Sequence, residues 1–349
     1  MGYMYEKTVT PRDGLRLHLN ESTLGCSPAV IDAVRRLTAQ EMALYPDYSD
    51  AIDACACYLD VREEEVLLTN GLDEGILAVS LHALRGGSAR EPHEAIVIVP
   101  AFDMFAASAD AAGGRVVEVP LRENFEFPLE EVLTAITSRT RLVFVNDPHN
   151  PTGQSVPSGC IQAIASAARP ATVFVDEAYI EFRGGHALNR SLFQTSPNVV
   201  VGRTFAKAHG LAAIRAGVLA GHPETLEAIR RVIPPYSLNV AAAVALPAAL
   251  NDREHLARYL RHVHESREFA YAAFNRLGVP YWRSDANFVL ARFGDRCATV
   301  FHALREQGIH VRDRSRTPGC AGCLRITTGV RQHTERAIQA IEEVLCGAQ

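Results

Sequence analysis

Four segments of the sequence carry polar or charged side chains directly after runs of consecutive apolar residues. Asn150 follows one run in an Asn-Pro-Thr-Gly turn, Asp176 ends a second, and Lys207 follows a third. A fourth run leads into Gly71 and the start of a predicted helix. If these runs are strands of one parallel sheet, their carboxyl ends meet at the edge where open α/β sheets bind ligands.

Lys207 is one of only two lysines among 35 basic residues, the other being Lys7. An amine held among apolar neighbours loses its charge more easily than one in water, and a neutral amine can form a Schiff base with an aldehyde. The alternative is a solvated surface side chain. The scarcity of lysine and the polar residues after the sister strands favour the chemical role.

Asp176 and Asn150 have two interpretations each. A carboxylate at a strand end can cap the backbone or pair with a charged group on a ligand. Asn150 can hydrogen-bond a ligand hydroxyl, although Asn-Pro-Thr-Gly is also a common turn. Neither motif decides between these interpretations alone.

Residues 67–75 predict a strand, a glycine turn and a helix start. The helix N-terminus would favour an anion, because its first backbone amides point outward; these are the amides of Gly71, Leu72 and Asp73. Arg215 follows the Lys207 segment and adds a cation. The alternative is an ordinary side-chain N-cap formed by Asn70 or Asp73.

Together the four segments fit one ligand with four chemical groups. Lys207 suits an aldehyde, Asp176 a ring nitrogen and Asn150 a ring hydroxyl. The amides at 71–73 and Arg215 suit a phosphate. Pyridoxal phosphate carries all four, and its electron-sink chemistry needs a carboxylate that keeps the ring nitrogen protonated.

The elements around these motifs predict an α/β fold with a mostly parallel sheet flanked by helices. Buried strands are indicated by apolar runs at 66–68, 95–99, 142–145, 172–175 and 199–201. Helical stretches alternate with them, at 75–84, 102–112, 129–136 and 159–168. Such alternation is typical of helices packed against a parallel sheet.

The pattern changes after about residue 250. A long amphipathic stretch at 253–275 leads to short strands and a last helix, near 287–292, 309–312, 323–327 and 334–344. This predicts a smaller α+β domain, which an irregular N-terminal segment joins. We therefore expect a large domain over 31–245 and a small domain formed by 1–30 and 246–349.

Composition excludes several classes of protein. The chain has 349 residues, 48% hydrophobic and 21% charged, with a formal charge of −5, which argues against disorder and nucleic-acid binding. Cys320-x-x-Cys323 has no second ligand pair nearby, so no metal site is expected. The N-terminal sequence has no apolar signal region and no apolar run reaches membrane-spanning length. With eight cysteines, these features predict a cytoplasmic protein that binds no membrane.

The order and spacing of the motifs resemble fold-type I pyridoxal-phosphate enzymes of the class I and II aminotransferases. Within these, the sequence is most similar to the histidinol-phosphate aminotransferase group. The resemblance extends over nearly the whole chain, through Leu19-Asn-Glu, Tyr45-Pro-Asp, Gly71-Leu-Asp-Glu-Gly, Asn150-Pro-Thr-Gly, Asp176-Glu-Ala-Tyr, Lys207 to Arg215, Arg312 and Cys323-Leu-Arg-Ile-Thr.

The resemblance implies catalytic roles for three residues. Lys207 would form the Schiff base and move the substrate proton, and Asp176 would pair with the pyridinium nitrogen. Tyr179, with Asn150, would hydrogen-bond the ring oxygen. The further cofactor-binding positions that it implies are Gly71, Leu72, Asp73, Phe102, Thr204 and Arg215.

Other matching positions concern the substrate and a second subunit. Arg325 and Arg312 would bind the anionic group of the substrate. Asn150 and position 24 would also face the substrate. Tyr45 would reach the cofactor phosphate of the partner subunit, so the resemblance implies a homodimer.

The sequence departs from the family pattern at three positions. Ala206 stands where a serine usually precedes the lysine. Leu24 replaces a tyrosine and cannot donate a hydrogen bond to a substrate phosphate. His149 stands where asparagine is usual. The cofactor assignment is compatible with all three, whereas the identity of the donor depends more on Leu24.

The leading hypothesis is transfer of an amino group from histidinol phosphate to 2-oxoglutarate by a ping-pong mechanism. One alternative is an aminotransferase for an aromatic or basic amino acid, and another is a decarboxylase on the same scaffold. A regulator with an aminotransferase-like domain would need an added helix-turn-helix domain, for which there is no room before Leu19. A dehydrogenase is disfavoured because no Gly-x-Gly-x-x-Gly follows a strand.

Overall fold

The computed structural model of the chain describes residues 11, 13–88, 90–184 and 190–347. Its strands are β1 (Leu15–Leu17), β2 (Val66–Thr69), β3 (Glu94–Val99), β4 (Arg115–Pro120), β5 (Thr140–Asn146), β6 (Thr172–Asp176), β7 (Val199–Thr204), β8 (Gly217–Gly221), β9 (Phe288–Arg292), β10 (Ile309–Asp313) and β11 (Cys323–Thr327).

The α-helices lie between and after these strands. They are α1 (Pro28–Arg35), α2 (Ala39–Ala43), α3 (Ser49–Leu59), α4 (Leu72–Leu84), α5 (Asp103–Ala111), α6 (Leu129–Ala135), α7 (Cys160–Ala167), α8 (Arg190–Thr195), α9 (Pro223–Arg230), α10 (Val240–Asn251), α11 (Arg253–Leu277), α12 (Cys297–Glu306) and α13 (Arg331–Cys346). Among the described residues, none of the helices is long and apolar enough to cross a bilayer.

The larger sheet has seven strands in the order β2-β8-β7-β6-β5-β3-β4. The five consecutive strands β7, β6, β5, β3 and β4 run parallel to one another. The strand β8 runs antiparallel to both of its neighbours, β2 and β7. The predicted α/β fold with a mostly parallel sheet is therefore confirmed. The strand β8 was not predicted, because its sequence GVLAG has a glycine at each end and little β-branched content.

Helices cover both faces of this sheet, which explains the unbroken apolar runs of its strands. On one face, Phe105 of α5 stacks on Phe144 of β5, with ring centroids 4.7 Å apart. On the other face, α3, α7 and α10 supply Cys55, Ile164 and Leu246 to a second core. The sheet is thereby a rigid support for the loops that leave its strand ends.

The smaller sheet has the order β1-β10-β11-β9. The strand β1 pairs in parallel with β10, so part of the N-terminal segment, which was expected to be irregular, forms an edge strand of this sheet. The helix α1, which begins at Pro28 after the Ser27 N-cap, instead packs against α10 beside the larger sheet.

The proposed domain boundaries remain a prediction. The boundary after residue 245 falls inside α10, and Ala242 and Ala249, on either side of it, belong to one apolar core. The small sheet packs against α11, α12 and α13 through a separate core that includes Phe274, Leu304 and Ile341.

Candidate active site

The strand register brings three predicted site segments to one edge of the larger sheet. Asn146 at the end of β5 is opposite Asp176 of β6, and Asp176 is opposite Gly202 of β7. Asn150 follows β5 by four residues and Lys207 follows β7 by three. The carboxyl ends of parallel strands lie side by side, so these residues surround one space.

A cavity of about 1610 Å³ opens at this edge and extends to the smaller sheet. Seven of the predicted site residues line it, from loops and strands of both sheets: Phe102, Asn150, Tyr179, Lys207, Arg215, Arg312 and Arg325. The sequence motifs, which are up to about 220 residues apart, therefore converge on one site.

Lys207 is half-buried at the cavity wall, between Ala206 and the completely buried Ala208. Its Nζ donates a hydrogen bond to the carbonyl oxygen of Leu19 at 2.9 Å. This acceptor is uncharged, and no described carboxylate forms an ion pair with the amine. The amine is thus held by one neutral contact that a ligand can replace.

Asp176 lies beneath the cavity and is 4% exposed. Its Oδ1 accepts the N–H of Ala178 at 3.0 Å, and no described side chain donates to Oδ2. Burial, with a smaller contribution from Asp73, raises the pKa of Asp176 to about 7, against the effects of the Ala178 hydrogen bond and Lys207. A buried carboxyl without a cation is energetically unfavourable, so the site suits a ligand with a positive group here.

The helix N-terminus of α4 lies beside Arg215. No side chain caps this helix, which disfavours the ordinary N-cap interpretation. The Gly71 N–H donates to the carbonyl oxygen of Thr69 at 2.9 Å, so the expectation that it points outward is wrong. The amides of Leu72 and Asp73 remain as first-turn groups without a helical acceptor.

Arg215 approaches the Gly71 backbone very closely. Gly71 has a φ of 83°, which favours glycine, and a Cβ there would lie 2.5 Å from Nη2 of Arg215, which would have to move. The same Nη2 donates to Oδ2 of Asp73 at 2.9 Å. A guanidinium held against a helix N-terminus is an arrangement that binds phosphate.

Arg325 joins the two sheets at the cavity. Its Nη1 donates to Oδ1 of Asn150, and its Nη2 donates to the carbonyl oxygen of His18 at 2.8 Å. Burial lowers the pKa of Arg325 to about 10. The charges of Arg314 and Arg312 also lower this pKa, whereas Tyr179 opposes the change. It remains protonated at neutral pH, so it supplies a desolvated positive charge to the cavity.

Besides Asp176 and residues 71–73, three further predicted positions do not line the cavity. Leu24 packs against the apolar cluster that contains Phe288. Oγ1 of Thr204 accepts the N–H of Ala206 at 3.2 Å. Tyr45 is 79% exposed and stacks on Tyr236, with ring centroids 4.3 Å apart. Leu24 nevertheless lies next to the site, because its apolar cluster also contains Tyr179.

Asn20 and Arg314 are cavity residues that sequence analysis did not single out. Nδ2 of Asn20 donates to the Tyr179 hydroxyl at 3.0 Å, and the residue has a φ of 56°. The motif Leu19-Asn-Glu contained this position but gave no sign of its partner. Arg314 follows Arg312 by two residues, the spacing of one strand face, which could have indicated it.

His149 and the cysteine pair lie away from the cavity. His149 is buried, its Nδ1 is 3.0 Å from Oγ1 of Thr152, and burial lowers its pKa to about 4. Cys320 and Cys323 are buried with Phe125 and Leu290. In the part of the chain that the structure describes, no group of three or more His, Cys, Asp or Glu residues could hold a metal ion.

Residues 12–341 match the family model described as Aminotransferase class I and II. The chain belongs to this family. This aminotransferase is 33% identical to histidinol-phosphate aminotransferase from Moorella thermoacetica over 340 residues, which is 96% of this chain and 86% of the relative. It is 36% identical over 341 residues to the protein of that name from an Anaeromyxobacter species, covering 95% and 90%.

Solved structures of aminotransferases share the fold. Histidinol-phosphate aminotransferase from Sinorhizobium meliloti, in complex with pyridoxal-5'-phosphate, matches this aminotransferase with a TM-score of 0.85 and 25% identity, over 96% and 92% of the two chains. N-Succinyldiaminopimelate aminotransferase from Mycobacterium tuberculosis matches with a TM-score of 0.82 and 23% identity, over 95% and 93%. Since the two names specify different substrates, the fold alone does not determine the donor.

Proposed function

We propose that this aminotransferase uses pyridoxal phosphate to transfer an amino group from histidinol phosphate to 2-oxoglutarate. The observation that carries the proposal is the pair of Lys207, which lines the cavity after β7, and Asp176, which is buried at the end of the adjacent strand β6. One residue offers an amine held by a neutral contact, and the other a buried carboxyl that lacks a cationic partner. These are the two groups that the aldehyde and the ring nitrogen of the cofactor require.

The remaining contacts also fit this cofactor. Arg215 and the first amides of α4 would hold its phosphate, and Gly71 gives the backbone the close approach that such a cradle needs. Asn150 and Tyr179 would hydrogen-bond the ring oxygen, and Phe102 would pack against the ring face. When bound, pyridoxal phosphate supplies an electron sink for the bonds at the substrate Cα.

Lys207 would then be the proton carrier. Its Nζ would accept the proton from the substrate Cα and return it on the cofactor side. Asp176 would keep the ring nitrogen protonated, because a buried carboxylate is stabilised by an adjacent cation. Asn20, through its hydrogen bond to the Tyr179 hydroxyl, would fix the orientation of that hydroxyl.

Two observations support histidinol phosphate as the donor. Relatives with that activity in their names align with nearly the whole chain. Arg325 and Arg312 line the cavity from the smaller sheet, and guanidinium groups suit a phosphate or carboxylate. The two substrates would bind in turn at this one site, as a ping-pong reaction requires.

The proposal includes a cytoplasmic homodimer. Tyr45 and Tyr236 are large, exposed and stacked, and Met42 and Leu44 beside them are also exposed. An exposed apolar patch of this kind favours contact with another protein surface. We assign it to a second copy, with Tyr45 reaching the cofactor phosphate of the partner subunit.

The deciding experiment is an absorbance spectrum of the purified protein with pyridoxal phosphate. A visible band should form, disappear when histidinol phosphate is added without acceptor, and return with 2-oxoglutarate. A band that only another amino acid removes would reject the proposed donor. Release of carbon dioxide without need for an acceptor would indicate a decarboxylase instead. No band would overturn the cofactor assignment.

A further inference from the structure

Three arginines project from one face of the smaller sheet. Arg312 of β10 is directly opposite Arg325 of β11 in the antiparallel pair. The pairing continues one step further, because the N–H of Arg314 donates to the carbonyl oxygen of Cys323 at 3.0 Å. Opposite residues and residues two apart share a face, so Arg314 lies on the same face as the other two arginines.

This face is the wall of the active-site cavity, and the opposite face is core. All three arginines line the cavity. On the other face, Leu324 and Ile326 pack with residues of the helices in the core of the smaller sheet. The arginine face also carries Cys323 and Leu290, which pack with Phe125. Beside this small cluster, the three arginines line the cavity.

Arg314 has a buried guanidinium with no partner in the described part of the chain. The residue is 8% exposed, and its Nε is enclosed without a hydrogen-bond partner. No described carboxylate forms an ion pair with it; Asp103, which also lines the cavity, is itself exposed. Burying an unpaired charge costs stability, so its retention in a cavity wall points to an anionic ligand.

The number of cations distinguishes between two kinds of anion. Arg325 can bind a carboxylate of one negative charge through its planar fork. A phosphate monoester carries nearly two negative charges and three acceptor oxygens, and suits more than one guanidinium.

We propose that Arg314 binds the phosphate monoester of the amino donor, as a third arginine beside Arg325 and Arg312. The inference rests on the proposed function for the identity of the donor. It makes Arg314 a specificity-determining residue that favours a phosphorylated donor over an amino acid. Glutamate, the donor of the reverse half-reaction, has only carboxylates and would depend on Arg314 much less.

The test compares two donors in the Arg314→Gln holoenzyme. The kcat/KM for histidinol phosphate should fall about 10- to 100-fold, mainly through KM, because a charge-assisted hydrogen bond is lost. The kcat/KM for glutamate should change less than about 3-fold. Equal losses for both donors would indicate a general structural role, and a larger loss for glutamate would assign Arg314 to a carboxylate. Either result overturns the inference.

Two further variants separate charge from folding. Arg296→Gln removes the same charge from an exposed position between β9 and α12 that does not line the cavity, and it should leave both donors within about 3-fold of the original protein. Arg314→Lys should restore part of the loss, because lysine keeps the charge without the planar fork. The Tm of Arg314→Gln should equal or exceed that of the original protein, since an unpaired buried charge is removed. A clear fall in Tm would contradict that account.

Inorganic phosphate provides a readout that does not depend on histidinol phosphate. In the holoenzyme, with glutamate as donor, phosphate should inhibit competitively, and Arg314→Gln should raise its inhibition constant about 10-fold. An unchanged inhibition constant overturns the inference even if histidinol phosphate is the donor. A 10-fold change with no turnover of histidinol phosphate supports the phosphate site and rejects the proposed donor.

Discussion

The Nε atom of Arg203 lies 2.6 Å from Oε2 of Glu177, and both side chains are almost completely buried. Arg203 also contacts Oε1 of Glu181 at 3.0 Å. Although burial opposes it, the two carboxylates raise the pKa of Arg203. Glu177 directly follows Asp176, and Arg203 lies in the strand that leads to Lys207. The ion pair therefore links the two strand ends that carry the proposed catalytic residues.

Replacing Arg203 with methionine should destabilise the protein by about 3–5 kcal/mol, because it leaves two buried carboxylates without a cation. Urea unfolding of the protein without cofactor measures this free energy. Arg122→Met is the matched control, since Arg122 forms an exposed pair with Glu131 and should cost less than about 1 kcal/mol. Similar losses of unfolding free energy in the two variants would show that the buried ion pair stabilises the protein no more than the exposed one.

Lys207→Ala should abolish transamination while leaving the fold intact. The alanine lacks the amine that carries the proton, so turnover should fall by at least about 1000-fold. The measurement is single-turnover kinetics with histidinol phosphate, supported by circular dichroism and Tm. The control is Lys7→Ala, which removes the only other lysine of the chain. Turnover of Lys207→Ala within 10-fold of the original protein would reject the assignment.

The strand ends of the site could be predicted from sequence because the strands that carry them are buried on both faces. The strands ending before Asn150 and Lys207, and at Asp176, each contain a run of consecutive apolar residues, and their parallel arrangement fixes where their ends meet. Short-range sequence patterns therefore indicate both which strands are buried and which polar residues follow them.

Contacts between distant segments could not be predicted in this way. Asn20 and Tyr179 are 159 positions apart, and their hydrogen bond depends on how the two sheets pack. Leu24 was predicted to face the substrate, and its packing against a cluster that includes Tyr179 likewise depends on contacts between distant segments. The burial of Arg314 also depends on how segments around the two sheets meet at the cavity, which no local pattern encodes.

Asp176→Asn should change the pH dependence of stability in the protein without cofactor. Burial raises the pKa of Asp176 to about 7, above the unfolded value of 3.8, so folding favours its protonated form. The original protein should therefore lose stability as the pH rises from about 4 to about 7. The asparagine variant should lack this part of the loss.

Thermal unfolding without cofactor between pH 4.5 and 8 measures how the stability of Asp176→Asn and of the original protein depends on pH. With cofactor bound, the same variant should lose about 100-fold or more in kcat, because the ring nitrogen loses its anionic partner. Parallel stability curves for the two proteins would contradict the buried, unpaired state of Asp176. A rate near that of the original protein would reject its pairing with the ring nitrogen.

Mixed dimers should test whether Tyr45 acts across the proposed dimer interface. Tyr45→Ala should be inactive at limiting cofactor, because a contact to the cofactor phosphate is lost, and Lys207→Ala should be inactive at any cofactor concentration. In a hybrid dimer, one site would receive Lys207 from one subunit and Tyr45 from the other, so it would be intact. Equal mixing with subunit exchange should thus restore about one quarter of the original activity. If Tyr45 acted within its own subunit, both sites of the hybrid would be defective, and the mixture would show no activity above that of the separate variants.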